Sequence, residues 1–335
     1  MYNLSCVDGF KYPGGDQTYI LDLIPTTSGL AVTSSDQRLC LFDPLRLSQG
    51  PLKSIQTNHG NLTSAKAYSP SESIIATTGE NGTISLWDLR LAPSHAQALQ
   101  IQSGGAPLLS LACSPTTTAL AAGTEFANHQ ASILLWDIRS PAAPRLQYNE
   151  VHSDDITELT YHPTTPTLLL TGSTDGLVNL CDTLVPDEDD VVVTAFNHGS
   201  VHRAGFLSAA ASTTEIYALS HDEKLAVYDA ADGAASTALD VGDVRPVLGC
   251  RYAAGVVPKA EGGAVVGVGA QDEEMFALWH LAKGASGWGL DRDTVVGLPG
   301  AHGGELVRSF CFLDEERLVL TAGEDGCVKA WRAGA

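Results

Sequence analysis

One phrase recurs along this chain and restricts its fold more than any other feature: a turn dipeptide, an alternating apolar run, an aromatic residue, then Asp. It reads ENGTISLWD up to Asp88, STDGLVNLCD up to Asp182, HDEKLAVYD up to Asp229 and EDGCVKAW up to Trp331. Looser copies are SSDQRLCLFD ending at Asp43, HQASILLWD at Asp137 and AQDEEMFALWH at His280. The aromatic place is filled by Phe42, Trp87, Trp136, Cys181, Tyr228, Trp279 and Trp331, at steps of 45, 49, 45, 47, 51 and 52 residues. Self-similarity at this period marks a row of small units, each of which must stack on its neighbours to bury its apolar faces.

A second landmark keeps step with the first. His59, His152, His198 and His302 lie 28, 29, 30 and 29 residues before the corresponding aromatic position. Between them, segments such as ITELTYHPTTPTLLLTGS read as two short strands around a turn, and no amphipathic helix interrupts the pattern. Four strands per unit and seven units predict an all-β chain, residues 1–335 forming a single seven-bladed β-propeller. The longer steps imply loop extensions, expected in blades 3, 5 and 6. Only four residues follow Trp331, which leaves no outer strand for blade 7. Residues 1–12 have no blade of their own, so they are expected to supply that strand and close the ring.

The repeats resemble those of the WD40 family over essentially the whole chain. A finer resemblance, to the family of WD repeat-containing protein 89, is carried chiefly by HSDDITELTYHPTTPTLLLTGSTDGLVNLCD from His152 to Asp182. It is also carried by AAGTE near Gly123, LLWDIRSP near Trp136, DVRPV at Asp243 to Val247, and HGGELVRSFCF with TAGEDG near the end. The Ala- and Gly-rich stretch from Arg251 to Val268 departs most. WD-repeat propellers use the landmark His in a hydrogen-bonded chain with a Ser or Thr, a turn Asp and the Trp indole. The resemblance therefore implies structural roles for His59, His152, His198 and His302, with His302, Thr321, Asp325 and Trp331 a complete set. Blade 4 has Cys181 in place of Trp, and blade 2 has Asn81 in place of Asp. The family implies an interaction role and offers no assigned catalytic activity.

The formal net charge of −20 argues against a surface that binds nucleic-acid phosphates directly and favours basic protein partners. Seven widely spaced cysteines without a CxxC pair suit a reducing compartment. Neither a basic-then-apolar leader nor an apolar run long enough to span a bilayer is present. A monomeric cytoplasmic or nuclear protein is expected, with no membrane, metal or cofactor partner. No Walker loop, HExxH, DFG set or GxSxG elbow occurs, and GGAVVGVGA lacks the following helix that a phosphate cradle needs, so no catalytic residues are expected.

Three surfaces remain as candidates for binding. Arg203, Arg245 and Arg308 stand at similar offsets near the first strands of consecutive blades, where a cluster at the channel mouth could grip a carboxylate. Asp154 and Asp155, Asp187, Glu188, Asp189 and Asp190, Asp272 to Glu274, and Asp314 to Glu316 could together form a negative rim for a basic client. Arg90 and Arg139 each end a Trp-Asp-x-Arg box that resembles the docking box of cullin ubiquitin-ligase receptors. A non-catalytic scaffold or adaptor is the expected function. The alternatives are a dedicated chaperone of a basic ribosomal protein and a substrate receptor of a cullin-RING ligase.

Overall fold

Third strands such as Thr83–Asp88 are rich in β-branched and aromatic residues and are buried on both faces, because neighbouring strands and neighbouring blades cover them. In a computed structural model that describes residues 1–13, 18–207, 215–230, 236–260 and 262–334, such strands assemble into seven four-stranded antiparallel blades. All seven aromatic-equivalent positions fall on third strands. The Asn-Gly and Asp-Gly turns before them place Gly82, Gly176 and Gly326 at φ of 70°, 96° and 72°, a left-handed region that side chains with a Cβ rarely adopt.

The first strands are Ile20–Thr26, Leu62–Ser69, Leu108–Cys113, Ile156–Tyr161, Val201–Phe206, Tyr252–Pro258 and Val307–Leu313. They lie innermost, and that of blade 1 packs beside that of blade 7 to close the circle. There is no single core. Each of seven apolar clusters lies between two adjacent blades, for example Ile24, Leu39 and Ile55 of blade 1 against Ile75, Trp87 and Leu89 of blade 2.

The N-terminal strand Tyr2–Lys11 completes blade 7. It pairs antiparallel with Cys327–Ala333, from Leu4 opposite Ala333 to Lys11 opposite Cys327. It also does something the repeat did not announce. Tyr2 and Asn3 pair in parallel with Val296 and Gly297 of the outer strand of blade 6, so blades 6 and 7 form one continuous eight-stranded sheet.

The long steps have three visible sources. In blade 3, Glu125–Ser132 folds into a small hairpin in which Ala127 pairs with Gln130 around Asn128 and His129, at φ of 54° and 67°. After the outer strand of blade 5, Ser236–Asp243, the chain makes a short helix, Val244–Leu248, before blade 6 begins. Blade 6 itself carries a long hairpin, Met275–Gly284 with Gly287–Pro299, whose Trp288 and Leu290 pack on Leu239 and Val241 of blade 5. Part of the extension expected in blade 5, positions 208–214, lies outside the described residues.

Because the strands run antiparallel in sequence order, second-to-third turns and interblade links emerge at one end of the ring, here the upper face. First-to-second and third-to-outer turns emerge at the opposite, lower face.

Candidate interaction surfaces

The landmark histidines sit at the upper ends of their blades and organise local networks. In blade 7, His302 Nδ1 lies 2.6 Å from Asp325 and Nε2 lies 2.8 Å from the Thr321 hydroxyl, to which the Trp331 indole donates at 2.9 Å. A Cβ on Gly323 would meet the His302 ring at 2.6 Å, so glycine makes room for it. In blade 4, His152 reaches Asp175 at 2.9 Å and Thr171 at 2.7 Å. Burial raises the Asp175 and Asp325 carboxyls, but the facing imidazoles and backbone donors outweigh it and hold both below the ordinary carboxylate range.

Blade 2 works differently from a simple Asp-to-Asn exchange. His59 contacts Thr77 at 2.8 Å and Thr83 at 2.6 Å, and Thr83 donates on to Asn81. Trp87 donates to Thr77 at 2.7 Å. Blade 5 has Ala218 where Thr77 and Thr321 stand, and the Tyr228 hydroxyl contacts His198 directly at 2.8 Å. In blades 3 and 6 the hydroxyl is replaced by Ala122 and Val268, and the Trp136 and Trp279 indole N–H groups have no partner.

Six of the seven first strands break register at the same place, a β-bulge between Ile20 and Asp22 in blade 1 and between Val307 and Ser309 in blade 7, whereas blade 6 breaks further along its strand, between Ala253 and Gly255. This defines which residues surround the central channel, a cavity of about 670 Å³. Glu158, nearly buried, receives Lys66 at 3.1 Å and Arg203 at 3.4 Å, tying blades 2, 4 and 5 together. Asp22 accepts from Ser309 at 2.8 Å across the closure. Arg308 lines the same cavity while its guanidinium pairs with Glu324.

The three-arginine cluster is therefore corrected. Arg203 lies just past its bulge, between Val201 and Arg203, whereas Arg308 is itself the bulged residue, so the two are not in register. Arg245 is not on a first strand at all. It sits in the short helix and forks onto Asp243, its own N-cap, at 2.9 Å. In blade 6 the place opposite Gly269, which corresponds to that of Arg203 opposite Leu219, is taken by Tyr252. The inserted helix displaced the offset counted from Asp240, which is why sequence spacing misled there.

The single negative rim is also corrected, because the topology splits it. Asp154 and Asp155, with Asp272 to Glu274, stand on upper connections; Asp314 to Glu316 stand on a lower one, and Asp187 to Asp190 on a long third-to-outer connection that leaves the lower end but reaches the upper link at Asn149 and Glu150. Several already have structural work: Glu188 accepts from the Asn149 and Glu150 amides at 2.7 and 2.6 Å, Asp155 from Phe126 at 2.7 Å, and Asp272 pairs with Arg251. The faces differ in charge. Among the described residues, the upper connections carry Asp36, Glu80, Glu125, Glu150, Asp154, Asp155, Asp175, Asp222, Glu223, Asp272, Glu273, Glu274, Glu305, Glu324 and Asp325 against Arg245 and Arg251 alone. The lower connections carry nine acids, but also Arg46, Arg90, Arg139, Arg145, Lys259 and Arg317.

The two box arginines follow their third strands on the lower face and fold back on their own aspartates. Arg90 donates from Nε and Nη2 to Asp88 at 2.9 and 2.8 Å, and Arg139 to Asp137 at 3.0 and 2.5 Å. Sequence reasoning missed Lys66 and Glu158, since nothing marks a channel-facing residue until the bulge is known. Among the described residues, no group of three or more His, Cys, Asp or Glu is placed to hold a metal, and no helix is long and apolar enough to cross a membrane.

Comparison with known proteins agrees with this architecture. Residues 17–174 match the Nucleolar protein 10-like N-terminal domain, a β-propeller, and residues 294–332 match the WD domain, G-beta repeat. An uncharacterized WD repeat-containing protein of Schizosaccharomyces pombe is 29% identical over 95% of this chain and 96% of its own length. One of Saccharomyces cerevisiae is 32% identical over 63% of this chain, and the match spans 53% of that relative's length. The WD repeat-containing protein 89 homolog of Dictyostelium discoideum is 24% identical over 71% of this chain and 62% of its own length. Among solved structures, a chain of the Mitotic Checkpoint Complex superposes with a TM-score of 0.73 at 16% identity, covering 100% of this chain and 94% of that one. In repeat, fold and relatives, the chain is a WD40-repeat β-propeller protein, of a class that typically serves as a non-catalytic scaffold for protein contacts.

Proposed function

We propose that this propeller is a non-catalytic scaffold whose upper face holds a basic protein partner. The observation that carries the reading is the charge of that face, where fifteen carboxylates stand on the described connections against two arginines. A rigid ring with such a face attracts a cationic surface over about a Debye length, roughly 10 Å at 0.1 M salt and 3 Å at 1 M. The match to a nucleolar protein's propeller supports a nuclear or nucleolar setting and a basic client of the ribosomal-protein kind. The test is binding to the full chain of basic proteins purified from ribosomes, at low and high salt. Substituting Asp154, Asp155, Asp272, Glu273 and Glu274 by Asn or Gln should weaken it, while neutralising Glu315 and Glu316 on the lower face should not. Binding indifferent to salt and to the upper-face substitutions would reject the reading. The ligase-receptor alternative gains less support, because both box arginines already spend their forks on Asp88 and Asp137; unaltered adaptor binding after Arg90→Ala and Arg139→Ala would dismiss it.

A further inference from the structure

Tyr19 and Phe126 stand exposed on the upper face, at 38% and 40%. Tyr19 already has its cation. The Arg308 guanidinium lies over its ring, 5.7 Å from the centroid, while the same group pairs with Glu324 at 2.6 Å. The three residues share one corner of the rim: Arg308 is the bulged residue of the blade 7 first strand, Glu324 opens that blade's second-to-third turn, and Tyr19 immediately precedes the first strand of blade 1. A planar guanidinium can lie on a ring face and fork onto a carboxylate at once, whereas a compact, strongly hydrated ammonium fits that pair of partners less well.

The corner between blades 3 and 4 repeats this frame without the cation. Glu125 opens the second-to-third turn of blade 3 as Glu324 does in blade 7, and the two amides donate to the matching carbonyls of Pro107 and Leu306. Phe126 follows, and its amide donates at 2.7 Å to Asp155, which precedes the first strand of blade 4 as Tyr19 precedes that of blade 1. The bulged residue here, at the place of Arg308, is Leu109. Glu125 has no ion pair among the described residues, and the upper connections of blades 2 to 4 contain neither lysine nor arginine. An exposed aromatic ring and unneutralised carboxylates therefore stand where the other corner holds a guanidinium.

We infer that the upper corner between blades 3 and 4 receives an arginine side chain of the basic partner, its guanidinium lying on Phe126 and paired with the Glu125 carboxylate, as Arg308 lies on Tyr19 and pairs with Glu324. The inference rests on the upper-face reading and deepens it, because it selects arginine-bearing partners over equally charged lysine-bearing ones. The acidic face supplies attraction, and this corner supplies discrimination.

The experiment measures binding to the full chain, at low salt, of two synthetic peptides of equal length and charge, one carrying arginines and the other lysines in the same places. The arginine peptide should bind about fivefold more tightly. Phe126→Ala should remove that preference while changing the affinity of the lysine peptide less than about twofold, and Phe126→Trp should keep or widen it, a gain that misfolding cannot produce. Leu109→Arg, which sets a guanidinium of the chain itself at the corner, should remove the preference as well. A preference that survives both Phe126→Ala and Leu109→Arg would overturn the inference. Equal, salt-sensitive binding of the two peptides would overturn it while leaving the upper-face reading standing, and binding of neither would bring down both.

Discussion

Replacing Thr321 by Val isolates what the hydroxyl of the blade 7 network contributes, since the two side chains share a shape. Thr321 is fully buried. With His302 Nδ1–H directed at Asp325, the Thr321 hydroxyl donates to His302 Nε2 and accepts from Trp331 Nε1–H, at 2.8 and 2.9 Å. Valine would leave two buried polar groups unpaired, each costing about 1–3 kcal/mol, offset in part by the apolar gain of a methyl group. A net loss of about 2–4 kcal/mol is expected. At about 2.1 cal/mol/K of unfolding entropy per residue, 335 residues give roughly 0.7 kcal/mol/K, so the melting temperature should drop by about 3–6 °C. The assay is urea unfolding followed by tryptophan fluorescence, with a lowered midpoint and an unchanged slope, checked by calorimetry. Blade 6 provides an internal control: Val268 already occupies the same place, and Trp279 Nε1 has no acceptor there. Val268→Thr should therefore be neutral or slightly stabilising. A Thr321→Val protein as stable as the parent would refute the argument that this network holds the blade, because shape alone would then suffice.

Burial pushes the His59 imidazole down to about 4, so the folded protein keeps it neutral while the unfolded chain protonates near 6.5. Its contribution is complete above about pH 6.5 and is lost as pH falls toward 4, by about 2 kcal/mol at pH 5; the fall in unfolding midpoint between pH 7 and pH 5 should shrink in His59→Gln, and an equal fall would contradict the assignment. Removing residues 1–12 strips blade 7 of its outer strand and uncouples it from blade 6, exposing paired edges on both. Light scattering should then report self-association and the melting temperature should drop, whereas a truncated chain that stays monomeric with unchanged melting would refute the closure.

The ring could be read from the sequence because its determinants are local and repeated. Each blade needs an alternating strand, a tight Asp-Gly or Asn-Gly turn and an aromatic residue at a near-constant interval, so seven copies in register leave little freedom. The missing outer strand after Trp331 pointed to the N-terminal segment for the same arithmetic reason. Arg245 shows where spacing stops working, since an unrecognised helix between blades shifted the count and put it in the link from blade 5 to blade 6. Lys66 and Glu158 were invisible because a bulge, not the alternation, decides which side chain faces the channel. Composition likewise set the acidity of the chain but not its placement. Which carboxylates share a face depends on whether a turn follows an odd or an even strand and on how far a long connection climbs the blade edge, and only the folded ring separates Asp154 and Asp272 from Asp314 and carries Glu188 from a third-to-outer connection up to Asn149.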